Sequence, residues 1–441
     1  MRSYLGSFIF VAILLLLDTY VFQAIKTVSQ SLSPKTKSII YIIFWSVSAL
    51  TVIGFLIFSN TDQNFLPKKI RSYLFAMIMA LFVAKVTAVI FFFVDDIRRI
   101  IQWAGGKLLQ KKAVTDTTDG DAISRSVFLS WLGLGVGGGF FGSLIYGFSN
   151  KYNYDIKRVQ IAFDNLPAGF KGIRILHISD IHSGSFTDKK AVQHGVNEIL
   201  NEKADIILFT GDLVNDMATE MEDFKDIFSQ LKAPMGVYST FGNHDYGDYV
   251  RWPDRNEEHE AKEKAADRHL LTPAQQKNLD DLKKVHASMG WRLLLDEHVS
   301  IKRGGDEIAL LGVQNISGKG EQSLNAKRGR FYSYGNLSNA HAGSEKYPFK
   351  ILMSHDPSHW EAQVLKEYPD VDLMLSGHTH GMQFGIDIPG FKWSPVQYVY
   401  KQWAGLYEEA KQKLYVNCGF GFIGYPGRVG ILPEITVITL I

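Results

Sequence analysis

The sequence predicts two structural classes in one chain: a four-span α-helical transmembrane bundle over residues 1–150 and an α/β domain, open or layered αββα, over residues 151–441. Three observations predict this. Four apolar runs, each near the roughly 20 residues a helix needs to cross a bilayer, fill the first part. From residue 151 onward, short β-rich runs alternate with polar, helix-like stretches. The mean hydropathy of −0.02 is then the average of an apolar module and a polar one.

The spans are expected near 4–24, 38–59, 70–94 and 127–148. Helices of a soluble bundle would show a polar face every turn, and these do not. A cleaved signal peptide is also disfavoured, because three further spans follow the first run and no small-x-small site closes it. Asp18 and Lys85 fall inside spans. Intramembrane charges are functional candidates by default, and the structural alternative is a pair with each other. In the fourth run, Gly135/Gly139 and Gly138/Gly142 are small-xxx-small pairs that would let helix backbones approach closely. Orientation follows from the loops. Lys26, Lys35, Lys37, Arg98, Arg99, Lys107, Lys111, Lys112 and Arg125 outweigh the opposite side, where Arg2, Lys68, Lys69, Arg71, Lys151, Lys157 and Arg158 lie. The positive-inside rule then puts residues 151–441 on the extracytoplasmic side of the cytoplasmic membrane.

Composition removes other classes. Hydrophobic residues at 46% exclude a disordered chain. With 47 Lys+Arg against 45 Asp+Glu the net charge is +2, so no nucleic-acid partner is expected. The lone Cys418 excludes an intrachain disulfide and a thiolate zinc site.

In the second part, strands are expected at 173–178, 205–209, 236–240, 307–313, 349–353, 371–375, 413–416 and 435–440, and helices at 188–200 and 219–231. Residues 248–289 read as a charged helical insertion, and 318–345 as a long polar loop. Chemistry-bearing residues recur where strands end: Asp180-Ile181-His182, Gly211-Asp212, Gly242-Asn243-His244-Asp245, Ser354-His355-Asp356 and Gly377-His378-Thr379-His380. In open sheets ligand sites form at the carboxyl ends of strands, so five such blocks can converge. Carboxylate, imidazole and carboxamide donors without thiolate suit Mn, Fe or Zn. Asp-x-His and His-x-His on extended backbone put both side chains on one side. The donors suffice for two divalent ions sharing one carboxylate, whereas one ion would leave too many buried charges unpaired.

These five blocks, in this order, resemble the calcineurin-like metallophosphoesterases over about residues 156–441. The resemblance implies a four-layer αββα fold with a dinuclear metal centre. By matching blocks, Asp180, His182, Asp212 and His380 would hold one ion. Asp212, Asn243, His355 and His378 would hold the other. His244 would contact phosphate oxygens as general acid or transition-state stabiliser, oriented by Asp245. Two metals would clamp the phosphoryl oxygens and give hydroxide near neutral pH, and a non-ligand His suits the leaving-group proton. The nearest branch is similar to the membrane-attached bacterial phosphoesterases, some exported by the twin-arginine route and some hydrolysing UDP-diacylglucosamine. The similarity rests on Gly242-Asn243-His244-Asp245-Tyr246, Ala404-Gly405-Leu406-Tyr407 and Leu432-Pro433-Glu434-Ile435-Thr436. Gly381-Met382-Gln383 departs from that branch's usual Gly-Gly-Gln. Ser124-Arg125-Ser126 is a worn twin-arginine signal, and Leu213-Val214 in place of Arg-Gly argues against a protein phosphatase.

Among the remaining histidines, His177 reads as a core or second-layer residue, and His359, four residues from His355, as a candidate to line the pocket. His194, His259, His269, His286, His298 and His341 read as surface residues. Arg428 reads either as a phosphate contact or as an exposed or ion-paired residue. The function expected is metal-dependent hydrolysis of a phosphoester, with phosphoester lipids or envelope sugar-phosphate precursors favoured by membrane tethering. A non-catalytic phospholigand sensor and a transporter regulated by the attached domain are the alternatives.

Overall fold

A computed structural model describes residues 4–61, 65–108, 125–266, 269–318 and 332–441. The chain forms two compact units, Met1–Phe148 and Ser149–Ile441.

The first unit contains α1 (Tyr4–Val28), α2 (Pro34–Asn60), α3 (Lys68–Leu108) and α4 (Arg125–Gly147). All four are long and apolar enough to cross a membrane. Helix α2 begins before its apolar run because Ser33 caps it, accepting from the Thr36 amide, with Pro34 in the first turn. Helix α3 has 41 residues, a length of about 60 Å, twice a bilayer core. It continues past the apolar run because Asp95–Arg98 and Asp96–Arg99 pair their charges along the helix surface at 2.9 and 3.8 Å. Arg98 and Arg99 therefore belong to a helix, not to a loop. Lys111, Lys112 and Ser124 lie outside the described residues.

The expected glycine seam is displaced. Cβ atoms at Gly135, Gly138, Gly139 and Gly142 would meet nothing. Gly133 and Gly137 instead lie against the Ala88 and Ala84 carbonyls of α3. Periodicity gives the spacing of small residues, but the neighbouring helix decides which face they occupy. Asp18 and Lys85 form the expected pair, Oδ1 to Nζ at 2.5 Å, with the Ser48 hydroxyl on the other carboxylate oxygen.

Among its described residues the second unit has fourteen strands: β1 (Asp155–Ile161), β2 (Arg174–Ile178), β3 (Ile206–Phe209), β4 (Val237–Ser239), β5 (Arg292–Leu293), β6 (Glu297–Arg303), β7 (Asp306–Gly312), β8 (Lys350–Met353), β9 (Leu373–Ser376), β10 (Ile386–Ile388), β11 (Phe391–Trp393), β12 (Gly405–Glu409), β13 (Gln412–Val416) and β14 (Glu434–Leu440). They form two six-stranded sheets, ordered β1-β14-β2-β3-β4-β5 and β12-β13-β9-β8-β7-β6, plus the separate hairpin β10-β11. Strands β2, β3 and β4 run parallel, as do β7, β8, β9 and β13.

Alternation along these strands sorts the core into layers. Ile206 and Leu208 of β3 pack with Ile351, Met353, Leu373 and Leu375 of the other sheet. Their neighbours Ile207 and Phe209 face outward onto α5 (Lys189–Asn201) and, after the short α6 (Lys225–Phe228) and the peripheral α7 (Glu257–Ala266), onto α8 (Pro273–Met289). On the far side, Leu352 and Met374 pack against α9 (Leu337–His341) and the π-turn Trp360–Val364 that runs into α10 (Leu365–Glu367). The order is helices, sheet, sheet, helices.

Several expectations need correction. Residues 219–231 do not form one helix. A 3-10 turn, Ala218–Met221, is followed by four-residue α6. Asn278 and Glu220 capture the amides of Ala218 and Asn215, so local polar bonds replace helical ones. The segment 248–289 is only partly an insertion. Helix α8, started by a Thr272–Gln275 capping box, buries Leu279, Leu282 and Met289 in the main core. Strands β1, β5, β6, β10, β11 and β12 were not expected, being short, polar or at an edge.

Candidate metal centre

The five blocks all leave the carboxyl ends of strands. β2 leads to Asp180 and His182, β3 to Asp212, β4 to Asn243 and His244, β8 to His355, and β9 to His378 and His380. Central strands β2, β3, β8 and β9 are buried on both faces, which fixes these ends relative to one another.

The turns are sharp. Asp180, His182, Asp212, His378 and His380 all have left-handed backbone, with φ of 53, 48, 61, 71 and 50°. Such a conformation costs an L-residue about 1 kcal/mol or more. That cost, concentrated on residues already suspected as ligands, marks a site where geometry overrides local preference. Two glycines make room. Gly211 has φ 101° and lies on the Phe241–Gly242 backbone, and a Cβ at Gly377 would collide with the Ser179 hydroxyl and the Asp180 carboxylate.

The side chains gather into two donor groups, Asp180/His182/His380 and Asp212/His355/His378, each with its donor atoms within 4.8 Å of one another. In the first, His380 Nε2 lies 3.2 Å from Asp180 Oδ1 and 3.0 Å from His182 Nε2. In the second, His355 Nε2 lies 3.1 Å from Asp212 Oδ2. Asn243 Oδ1 joins at 2.8 Å from His378 Nδ1. Asp212 Oδ2 also reaches His182 Nε2 at 3.5 Å, so one carboxylate oxygen stands between both groups.

The electrostatics follow from burial and proximity. Burial opposes ionisation of Asp180, but His380, His355 and His182 hold it well below the usual carboxylate range. Asp212 is lowered in the same way, with His355 the main opponent of burial. Burial disfavours a charged His355, yet Asp212 outweighs it and holds the imidazole up to about 10. Burial keeps His182 well below its ordinary value. Two nearly inaccessible carboxylates, a carboxamide oxygen and four imidazole nitrogens converge. This donor set fits hard-to-borderline divalent ions.

Hydrogen bonds orient the rings. His355 Nδ1 faces the Thr210 carbonyl at 2.8 Å, which leaves Nε2 for the centre. His378 Nε2 meets the Tyr400 hydroxyl at 2.7 Å, leaving Nδ1. His244 is held at the edge: its amide donates to Asp212 Oδ1 at 2.8 Å, its Nδ1 faces the Asn215 carbonyl at 2.8 Å, and its ring stacks on Tyr249.

Asp245 is placed differently from the expectation. Its carboxylate accepts from the amides of Gly242, Asp212 and Leu213 at 2.8–2.9 Å. It braces two ligand loops, and the Asn215 carbonyl, not Asp245, orients His244. Buried anions beside several free amides are drawn to them, which adjacency in sequence does not reveal. Burial and Asp212 push Asp245 up to about 7 against those donors.

Other residues also move from their expected roles. Arg428 is fully buried and donates to the carbonyls of His380, Cys418, Gly419 and Gly421. It clamps the loop after β13 onto the His380 loop and is neither exposed nor ion-paired. His359 is buried, with Nδ1 on Ser354 Oγ and Nε2 on Gln363 Oε1. His177 lies in β2 against the Thr210 hydroxyl. His194 is exposed, but His286 is fully buried, and His269 is enclosed by Asp248 and Glu263. Tyr400, Tyr249 and Asn215 carried no motif, and only the folded chain brings them to the site.

Residues 1–151 match the family described as a probable calcineurin-like phosphoesterase transmembrane domain, and residues 173–382 match calcineurin-like phosphoesterase. Among relatives, a transmembrane protein with metallophosphoesterase domain from Danio rerio is 28% identical over 290 residues, covering 64% of this chain and 56% of that protein. The uncharacterized metallophosphoesterase YkuE of Bacillus subtilis is 28% identical over 291 residues, covering 62% and 81%. The phosphodiesterase YaeI of Escherichia coli is 26% identical over 294 residues, covering 65% and 88%. This chain thus spans little more than half of the fish relative's length. The first matched region coincides with the first compact unit and the second lies within the second unit, so the chain joins the transmembrane domain of this phosphoesterase family to a calcineurin-like phosphoesterase domain.

Proposed function

We propose that this protein is a membrane-anchored, metal-dependent phosphoesterase that hydrolyses a phosphodiester or phosphomonoester. The observation that carries the reading is the position of Asp212, whose single Oδ2 faces both donor groups. Asp180, His182, Asp212 and His380 would hold one divalent ion, and Asp212, Asn243, His355 and His378 a second, with Mn, Fe or Zn fitting the donors. When bound, such ions supply Lewis-acid polarisation of the phosphoryl group and activation of water.

The protein's own part is orientation and proton handling. The Thr210 carbonyl fixes the tautomer of His355, the Tyr400 hydroxyl orients the ring of His378, and Asp245 fixes the loops that carry Asp212 and Asn243. His244, with Nδ1 committed to Asn215, has Nε2 to hold or deliver a proton to the leaving oxygen. Purified full-length protein should contain divalent metal and hydrolyse an aryl phosphodiester. Metal-free preparations, or unchanged hydrolysis in Asp212→Ala, would refute the reading. A complete donor set speaks against a phospholigand sensor, which has no need of it.

The loop charges support an extracytoplasmic catalytic domain. A lipid-linked or envelope-precursor phosphoester is then the favoured substrate, whereas UDP-diacylglucosamine-type cleavage in the cytoplasm requires the opposite side. A reporter fused after Ile441 that is active only in the cytoplasm would overturn this orientation.

A further inference from the structure

The hairpin β10-β11 belongs to neither large sheet, and its apolar face is left open. Antiparallel pairing sets Ile386 opposite Trp393 and Ile388 opposite Phe391 on one face, with Asp387 opposite Lys392 on the other. A surface hairpin ordinarily turns its apolar face to the core and its charges to water. Here Asp387 is the half-buried residue, while Lys392 on the same face stays about a third exposed. Asp387 is ion-paired with Lys157 of β1 and, at 3.9 Å, with Lys392. The apolar face is left open, with Ile386, Ile388 and Phe391 exposed by 43, 57 and 52%.

The exposure continues on both flanks. Met382, Tyr398 and Val399 are exposed by 58, 78 and 59%. The turns that carry Met382 and Tyr398 pack against each other. Six large apolar side chains between residues 382 and 399 thus face solvent within one short segment. Scattered exposed apolar residues need no explanation, but a clustered ridge does.

The ridge is tied to the metal centre at both feet. It starts two residues after His380 and ends one residue before Tyr400, whose hydroxyl meets His378 Nε2 at 2.7 Å. The Ser394 hydroxyl donates to the Gly381 carbonyl at 2.8 Å. The hairpin's inner anchor, Lys157, lies ten residues beyond the end of α4 at Gly147, a covalent reach of at most about 35 Å. Four helices long and apolar enough to span a bilayer precede it in the chain, so the ridge is carried by a protein that is itself membrane-spanning.

We propose that residues 382–399 form an interfacial hairpin that seats its apolar face in the lipid bilayer surface. Docked there, it would present the His378/His380 loop to phosphoesters whose apolar chains remain in the membrane. Aromatic and aliphatic side chains at the headgroup boundary suit this role. The substrate class rests on the phosphoesterase reading, whereas the docking itself does not.

Cys418 is buried and is the sole cysteine, so Ile388→Cys offers one accessible thiol for an environment-sensitive fluorophore. The full-length variant is reconstituted in vesicles of mixed phosphatidylcholine and phosphatidylglycerol, with Lys411→Cys on the β12-β13 turn as control. A blue-shifted label at 388, quenched by doxyl lipid and shielded from iodide, is the expected result. Iodide quenching equal to that at 411 would overturn the proposal. So would shielding from both quenchers, which would mean that protein covers the ridge. In parallel, Ile388→Asp/Phe391→Asp should lose about tenfold or more of the hydrolysis of vesicle-borne phosphodiester, and stay within about twofold on a soluble aryl phosphodiester, since neither residue touches the centre. Equal loss on both substrates would overturn the substrate class. Absence of hydrolysis by the parent protein would refute the phosphoesterase reading and leave the fluorescence result to decide the docking.

Discussion

Both units bury a polar cluster, and the two clusters differ in how their charges are met. In the helical unit, Asp18 has one cation, Lys85, and one hydroxyl, Ser48, and the sum is neutral. In the α/β unit, Asp180 and Asp212 face four imidazoles and a carboxamide, with backbone strain at five of the seven proposed ligands. The first cluster is complete as it stands, because each charge has its counterpart. The second is a convergence of electron-pair donors of the types that suit divalent cations. Burial and polarity alone do not mark a site. Ligand-type donors gathered on strained backbone do.

Five tests would break or sharpen this contrast. The largest effect is expected at the oxygen shared by both donor groups: Asp212→Ala should abolish metal-dependent hydrolysis and lower the bound metal measured by elemental analysis. His244→Ala should reduce kcat by about 10²–10⁴-fold while metal content stays unchanged, since His244 is not in either donor group. Equal loss of metal would place His244 among the ligands instead.

In the helical unit, Asp18→Leu alone should destabilise the detergent-solubilised protein by about 3–5 kcal/mol, because it strands Lys85. The double variant Asp18→Leu/Lys85→Leu should recover most of that, as for a buried pair replaced by apolar groups. If the double variant keeps full hydrolysis, the pair is structural. If it remains folded but loses activity, the helical unit has a functional part to play.

Tyr400→Phe should weaken metal affinity by about 10–100-fold, with little change in thermal stability, which separates a ligand-orienting hydroxyl from a packing one. The last test concerns a buried imidazole outside both donor groups. Burial lowers His286 to about 3, so the folded form excludes a proton that the unfolded chain binds below its ordinary value near 6.5. Stability should therefore fall as pH drops from about 6.5 toward 3, at up to about 1.4 kcal/mol per unit, and His286→Gln should flatten that slope in acid-denaturation curves.

The proposed ligands were legible because each stands just past a parallel strand whose apolar run is unmistakable, and because Asp-x-His and His-x-His leave few other readings. The residues that orient them were not. Tyr400 reaches His378 across 22 positions, and Asn215 reaches His244 across 29. Neither has a sequence signature, since a tyrosine hydroxyl or a backbone carbonyl is found everywhere. Arg428 and Asp245 were noticed but given the wrong partners, because a charge in a sequence does not say whether carbonyls, amides or ions will surround it. The edge strands β1, β5, β6 and β12 and the separate hairpin β10-β11 were all missed.

The sequence by itself determined the two-part organisation, the order of the buried central strands along the chain and the chemical type of the candidate donors. These depend on local hydropathy, short-range periodicity and chemical type. Only the tertiary structure decided which face of α4 meets α3, that Asp212 stands between both donor groups, that Asp245 braces backbone, and that one hairpin leaves its apolar face open. Each of these depends on which distant groups compete for the same space or the same hydrogen bond, and that competition exists only once the chain has closed on itself.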